Sequence, residues 1–293
     1  MNGLPISRAG PAHASPSPGR ERGFAGLFAS LLTVAILPDP ARAVEFHDER
    51  AGVPAWEVDS AFKHDVFTFA RVRYSSYGGR WRRGGGDWAT DFPDAELNLG
   101  FRLQQMTSLK VNPEAAVVDL ATDDLSHFPF LYMVEPGRLV FAEEEIEPLR
   151  RHLLNGGFLM VDDFWGDDEY ENFHQEIKRV FPDRDLVELP LEHPVFHCVF
   201  ELNSKPQIPH LQHALAYRHE GITWEFRPGS PTSVVHIQGL FDDKGRMMMI
   251  VCHNTDLGDG WEREGDSAWY FHEFAEKRAY PLGINIIVYA MTH

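Results

Sequence analysis

A chain of 293 residues with 43% hydrophobic side chains is long enough to bury one large core or two smaller ones, and it shows neither heptads nor an internal repeat. Acidic residues outnumber basic ones 44 to 27, a net charge of −17. That balance excludes a general nucleic-acid binder, because phosphate backbones are held by clustered Lys and Arg, and it favours a small or locally recognised ligand.

Residues 1–43 read as a signal peptide. Arg20 and Arg22 precede an apolar run at 24–37, and Ala41, Arg42 and Ala43 supply a cleavage site before Val44. The run is short for a membrane-spanning helix. Export across a membrane is therefore expected, with residues 44–65 as an N-terminal extension and 66–293 as a single α/β domain.

Residues 66–74 are rich in β-formers and predict a first strand, followed at 75–86 by a loop with five glycines and three arginines. Asp94 is expected to cap a helix reaching about residue 108, with Pro93 at its start, where a missing N–H costs nothing. The apolar runs 116–120 and 130–134 suit buried parallel strands. The pattern at 142–154 predicts a helix whose first turn carries Glu143, Glu144 and Glu145 and whose last turn carries Arg150, Arg151 and His152, complementing the helix dipole at both ends. A strand at 158–162, a helix at 169–180 stopped by Pro182 and a short strand at 186–189 come next. Residues 190–224 lose periodicity and predict an irregular excursion. A hairpin of 234–241 and 247–253, an acidic glycine loop at 254–260 and helices at 267–277 and 282–291 close the chain.

Strand alternating with helix implies a three-layer α/β sandwich with a mainly parallel sheet, whose right-handed crossovers bring the carboxyl ends of the strands to one rim. Three loops are expected to share it: 75–91, 162–168 and 254–261.

Candidate chemistry concentrates on those loops. Asp162 and Asp163 follow a buried strand, the usual site position in open α/β sheets, and can serve as general base, metal ligand or acceptor for sugar hydroxyls. Alternatively one caps the next helix and the other pairs with the basic loop. Arg80 and Arg82, with Arg83, form the local basic cluster. Among glycines they suit an anion, although no Walker lysine follows, and they can equally pair with Asp162, Asp163 or Asp259. Trp81, Trp88, Trp165 and Trp261 offer indole faces to a sugar ring or anchor the loops to the domain. Asp91 ends the first loop. Asn254, Asp256 and Asp259 offer oxygen ligands for calcium or magnesium, but not in EF-hand spacing, because Gly258 takes the third ligand position. Pro194 between His193 and His197 argues against a zinc-binding helix. Cys198 and Cys252 are expected as buried thiols or one disulfide rather than nucleophiles, because each one's neighbouring histidine, on a strand, would face the opposite side. The sequence requires no cofactor.

Six segments carry a resemblance to a bacterial family known as domain of unknown function 4159. They are WATDFPDAELNLGFRLQQMT at 88–107, FPFLYM at 128–133, LLNGGFLMVDDFWG at 153–166, VFPDRDLVELPLEHPVFH at 180–197, HNTDLGDGWE at 253–262 and LGINIIVYAMTH at 282–293. The resemblance implies a flavodoxin-like fold similar to class I glutamine amidotransferases and trehalose-utilisation-like domains, with no settled activity. In those relatives the turn after the glycine-led strand can present a catalytic cysteine, whereas Asp162 and Asp163 stand there in this chain. The resemblance also implies partners among envelope assemblies with von Willebrand factor A-like proteins or AAA-type ATPases. Two functions follow as expectations. One is a non-catalytic cell-envelope module that binds a small anionic or carbohydrate ligand, or acts as a scaffold. The other is a hydrolase of a carbohydrate or peptidoglycan fragment with Asp162 or Asp163 as general base.

Overall fold

A computed structural model of the chain describes residues 53–62, 65–78 and 87–293. The signal peptide, the Val44 junction and Arg80, Trp81, Arg82 and Arg83 lie outside the described residues. No helix among the described residues is long and apolar enough to cross a membrane.

Among the described residues nine strands form: β1 (Ala70–Arg73), β2 (Ser75–Ser76), β3 (Ala116–Asp119), β4 (Phe130–Val134), β5 (Leu139–Val140), β6 (Phe158–Asp162), β7 (Val187–Glu188), β8 (His236–Phe241) and β9 (Met247–His253). Seven build one sheet in the order β3-β1-β4-β6-β9-β8-β7, and β2 pairs with β5 in a small separate ribbon. The first five strands of that order are mutually parallel, and only β8 runs against the rest. From β1 the chain moves outward to β3 and then crosses back to β4, so the winding reverses between β1 and β4. Ligands in such sheets bind at that switch, outside the carboxyl ends of the strands.

Side-chain alternation splits the interior into two cores. Phe130, Tyr132, Val134, Phe158 and Met160 face one side with α1 (Asp94–Met106) and the C-terminal helices. Leu131, Met133, Leu159 and Val161 face the other with α2 (Glu143–Leu154) and α3 (Gly166–Val180). β4 and β6 are buried along their whole length, as strands covered on both faces must be.

The strand and helix positions follow the sequence pattern closely, with four corrections. Asp94 is the first residue of α1 rather than its cap, a position that falls to Pro93 with no side-chain cap bond. α3 starts at Gly166, one turn earlier than expected, with Glu169 Oε2 accepting from Trp165 N at 2.7 Å. After the short α4 (Leu211–Ala216), residues 254–260, expected as a loop, run into α5 (Leu257–Glu262), capped by Asp256 through Asp259 N at 2.7 Å. The two expected C-terminal helices run on as one: α6 (Ala268–Tyr270), a π-helical stretch Phe271–Ala279 and α7 (Tyr280–Thr292). A wide π turn just before Pro281 relieves the clash its ring would make in a regular α-helix.

Candidate functional site: an acidic rim cleft

Three neighbouring strands end in the same way. The first residues beyond β4, β6 and β9 are Glu135, Asp163 and Asn254, with φ of 49°, 58° and 60°. Left-handed backbone is uncommon outside glycine and costs roughly 1–2 kcal/mol per residue. The turns brace one another: Glu135 N donates to Asp162 O at 3.1 Å, and Asn254 N donates to Phe164 O at 2.9 Å. Asp91, at the end of the first loop, is left-handed too, with φ 62°. The turns at Asp91, Glu135 and Asp163 carry their carboxylates to one cavity at the rim, whereas that at Asn254 turns its amide inward.

The two adjacent aspartates separate by role. Asp162 is fully buried, and its Oδ2 accepts from Leu257 N at 2.9 Å, Gly258 N at 3.0 Å and Tyr132 Oη at 3.2 Å. It fastens the end of β6 to the first turn of α5. Burial pushes its carboxyl up to about 7 against these donors. Asp163 instead opens into two adjoining cavities, of about 370 and 490 Å3, which share Thr90, Glu135, Asp163 and Arg227. Trp165 Nε1 donates to its Oδ1 at 3.3 Å. Burial first, then Glu135 and Asp91, hold the Asp163 carboxyl well above the usual carboxylate range.

The first cavity is walled by seven carboxylates, Asp91, Glu135, Asp163, Glu225, Asp256, Asp259 and Asp266, against the guanidiniums of Arg227 and Arg263. Carboxylate oxygens from Asp91, Asp163 and Asp256, one from each, lie within 4.8 Å of one another, and Asp91, Asp259 and Glu262 form a second such group. Three separate chain segments thus converge. Burial, reinforced by neighbouring carboxylates, holds Asp91 and Asp256 well above the usual range, and burial pushes Glu135 and Glu262 up to about 7. Like charges this close favour uptake of a proton or a cation. An all-oxygen donor set suits hard ions such as calcium, magnesium or manganese.

Arg71 sets the position of Asp91 from below. Its side chain is fully buried on β1, its Nε donates to Glu96 Oε1 at 2.6 Å, and its Nη1 donates to Trp88 O at 3.0 Å and Thr90 O at 2.7 Å. The backbone leading into Asp91 is therefore clamped to the sheet.

Other candidates fall elsewhere. Trp165 and Trp261 are 2% and 0% exposed and Trp88 is 7% exposed, so these indoles anchor their loops and present no open face to a sugar ring. Asn254 turns its amide inward: its Oδ1 accepts from Gly166 N at 2.9 Å and its Nδ2 donates to Val234 O at 2.8 Å, which makes it a brace between β9 and α3. Cys198 and Cys252 are both free thiols. Cys252 is fully buried on β9, and burial raises both thiols, that of Cys252 well above its ordinary range. His193 caps the turn at Pro194–Phe196, and His197 Nε2 lies 2.6 Å from Leu191 O.

Six charged residues of the first cavity and its carboxylate groups had no place among the sequence candidates. Glu135 follows β4 as Asp163 follows β6, so the same strand-end rule finds it. Glu225, Arg227, Glu262, Arg263 and Asp266 lie beyond any strand end, and no local pattern marks them.

A family model described as "Domain of unknown function (DUF4159)" matches residues 68–291. The comparison with curated proteins returns no match.

Proposed function

Because the chain belongs to the DUF4159 family, whose description assigns no activity, we propose its function from the site: a non-catalytic binding module whose rim cleft takes a cationic ligand. The supporting observation is the wall of the first cavity, where seven carboxylates face two guanidiniums. Such a surface attracts cations and repels a free anion. An anionic ligand would have to rely on Arg80 and Arg82, outside the described residues. Its place is the cell envelope, in assembly with other envelope proteins. That address rests on the pattern of residues 1–43, and mass spectrometry of protein from the native host is expected to find Val44 as the first residue. An intact Met1 in soluble protein would contradict it.

A second reading, hydrolysis of a carbohydrate or peptidoglycan fragment, is favoured by one feature. Asp163 faces both cavities, and burial and its carboxylate neighbours hold its carboxyl well above the usual range. The two readings separate on Asp163→Asn. In a binding module the variant weakens uptake of a polycation such as spermidine and leaves no turnover to lose. A general base contributes roughly 10²–10⁴ in rate, so measurable hydrolysis of peptidoglycan fragments that collapses by that factor in the variant would replace the binding reading.

A further inference from the structure

We infer that the cleft holds one divalent cation, bound by Asp91, Asp163 and Asp256 from three different chain segments. This rests on the cationic-cleft reading above and names its ligand.

Two carboxylate groups meet at Asp91, but they are not equivalent. In the second, Arg263 already supplies a cation: its Nε lies 3.6 Å from Asp259 Oδ1 and its Nη2 2.5 Å from Glu262 Oε1. Asp259 is also satisfied by Leu211 N, which donates to its Oδ2 at 2.5 Å. The first group has no such partner. Among the described residues Asp91, Asp163 and Asp256 form no ion pair, and the only hydrogen bonds reaching the Asp163 and Asp256 carboxylates come from Trp165 Nε1 and Asp259 N.

An independent feature points the same way. Asp91 Oδ2 is sealed from solvent and accepts no N–H or hydroxyl hydrogen bond among the described residues; the carboxyl beside it, that of Glu262, is already held by Arg263. A buried acceptor left unpaired costs roughly 1–3 kcal/mol, more when charged, so native structures rarely keep one without a proton, water or ion. Asp91 is held there by the Arg71 clamp on Trp88 O and Thr90 O, and by Gly258, where an added Cβ would lie 2.3 Å from that same oxygen. The chain thus spends a glycine in α5 to let the carboxylate in. Three carboxylates carry more charge than one divalent ion, and an open cavity beside them leaves room for water to complete the coordination sphere.

The test is a titration of the full chain, stripped with chelator, with Mn2+ by calorimetry, together with melting curves in Ca2+ and Mg2+. One ion per chain is expected, and saturating ion raises Tm because only the folded state assembles the site. Asp163→Asn and Asp256→Asn are expected to melt higher than wild type without ion, since they relieve like-charge crowding, yet to lose the ion-dependent rise and to weaken Mn2+ by more than about 100-fold, beyond the usual effect of losing an outer partner. Gly258→Ala keeps all three carboxylates but displaces that of Asp91, and it should weaken the ion to a similar degree. Two ions per chain, or full affinity in Gly258→Ala, would overturn the assignment. If spermidine binds and Mn2+ does not, the divalent site falls while the cationic cleft stands; if neither binds, both fall.

Discussion

Glu135 is the residue at which the rim most clearly trades stability for placement. Asp and Asn tolerate left-handed backbone, as Asp163 and Asn254 do, whereas a Glu at φ 49° has no local side-chain compensation of that kind. Replacing it with Gly and with Ala removes the same carboxylate, but only Gly also relieves the backbone. Denaturant unfolding is therefore expected to show Glu135→Gly more stable than Glu135→Ala by about 1 kcal/mol. Equal stabilities would mean that the turn carries no strain. At this scale the sequence was partly legible. Asp162 and Asp163 stood out because a buried apolar strand runs into them, and that rule locates carboxylates without saying which faces the cleft. The left-handed turn decides it, sending Asp163 outward while Asp162 continues the strand and fastens α5.

Among the elements, α2 and the loop that returns it to β6 show how tightly the helical layers are set. A Cβ on Gly157 would lie 2.1 Å from His152 Nε2, so that glycine is required by the close approach of the ring. Burial, then Arg246, pushes the His152 imidazole down to about 4. The folded chain thus binds a proton at this site less readily than the unfolded chain, whose histidine titrates near its ordinary 6.5. Stability from the neutral ring is present above that value and is lost as pH falls from about 6.5 towards 4. Melting curves across this window are expected to fall less steeply for His152→Gln than for wild type, and parallel slopes would contradict the assignment. Helix α2 itself was legible from its acidic first turn and basic last turn. The capped helix α5 was not, because Gly258 and Gly260 look like loop residues. They are there for close approach: a Cβ on Gly258 meets Asp91 and one on Gly260 meets Ala279 at 2.5 Å. Local sequence cannot distinguish a glycine that frees the backbone from one that makes room for a neighbour.

For the molecule as a whole, topology does the gathering. The strand order reverses between β1 and β4, and the loops ending at Asp91, Asp163 and Asp256 are separated by about 70 and 90 residues in sequence, yet they meet over the same rim. Alternating strands and helices made the layered parallel sheet readable, since each element carries its own periodicity. The irregular excursion carries none, nor does the stretch just after it, which brings Glu225 and Arg227 to the cleft. Net charge did not point to the ligand, for which the sequence suggested an anion or a carbohydrate: a surplus of acid spread over the whole surface means little, whereas seven carboxylates around one cavity are what the proposal of a cationic ligand rests on. Diffraction from crystals grown with Mn2+, with anomalous data collected above the manganese edge, tests that directly. One anomalous peak is expected between the carboxylates of Asp91, Asp163 and Asp256. A map with no peak there, or with manganese only at surface carboxylates outside the cleft, would contradict it.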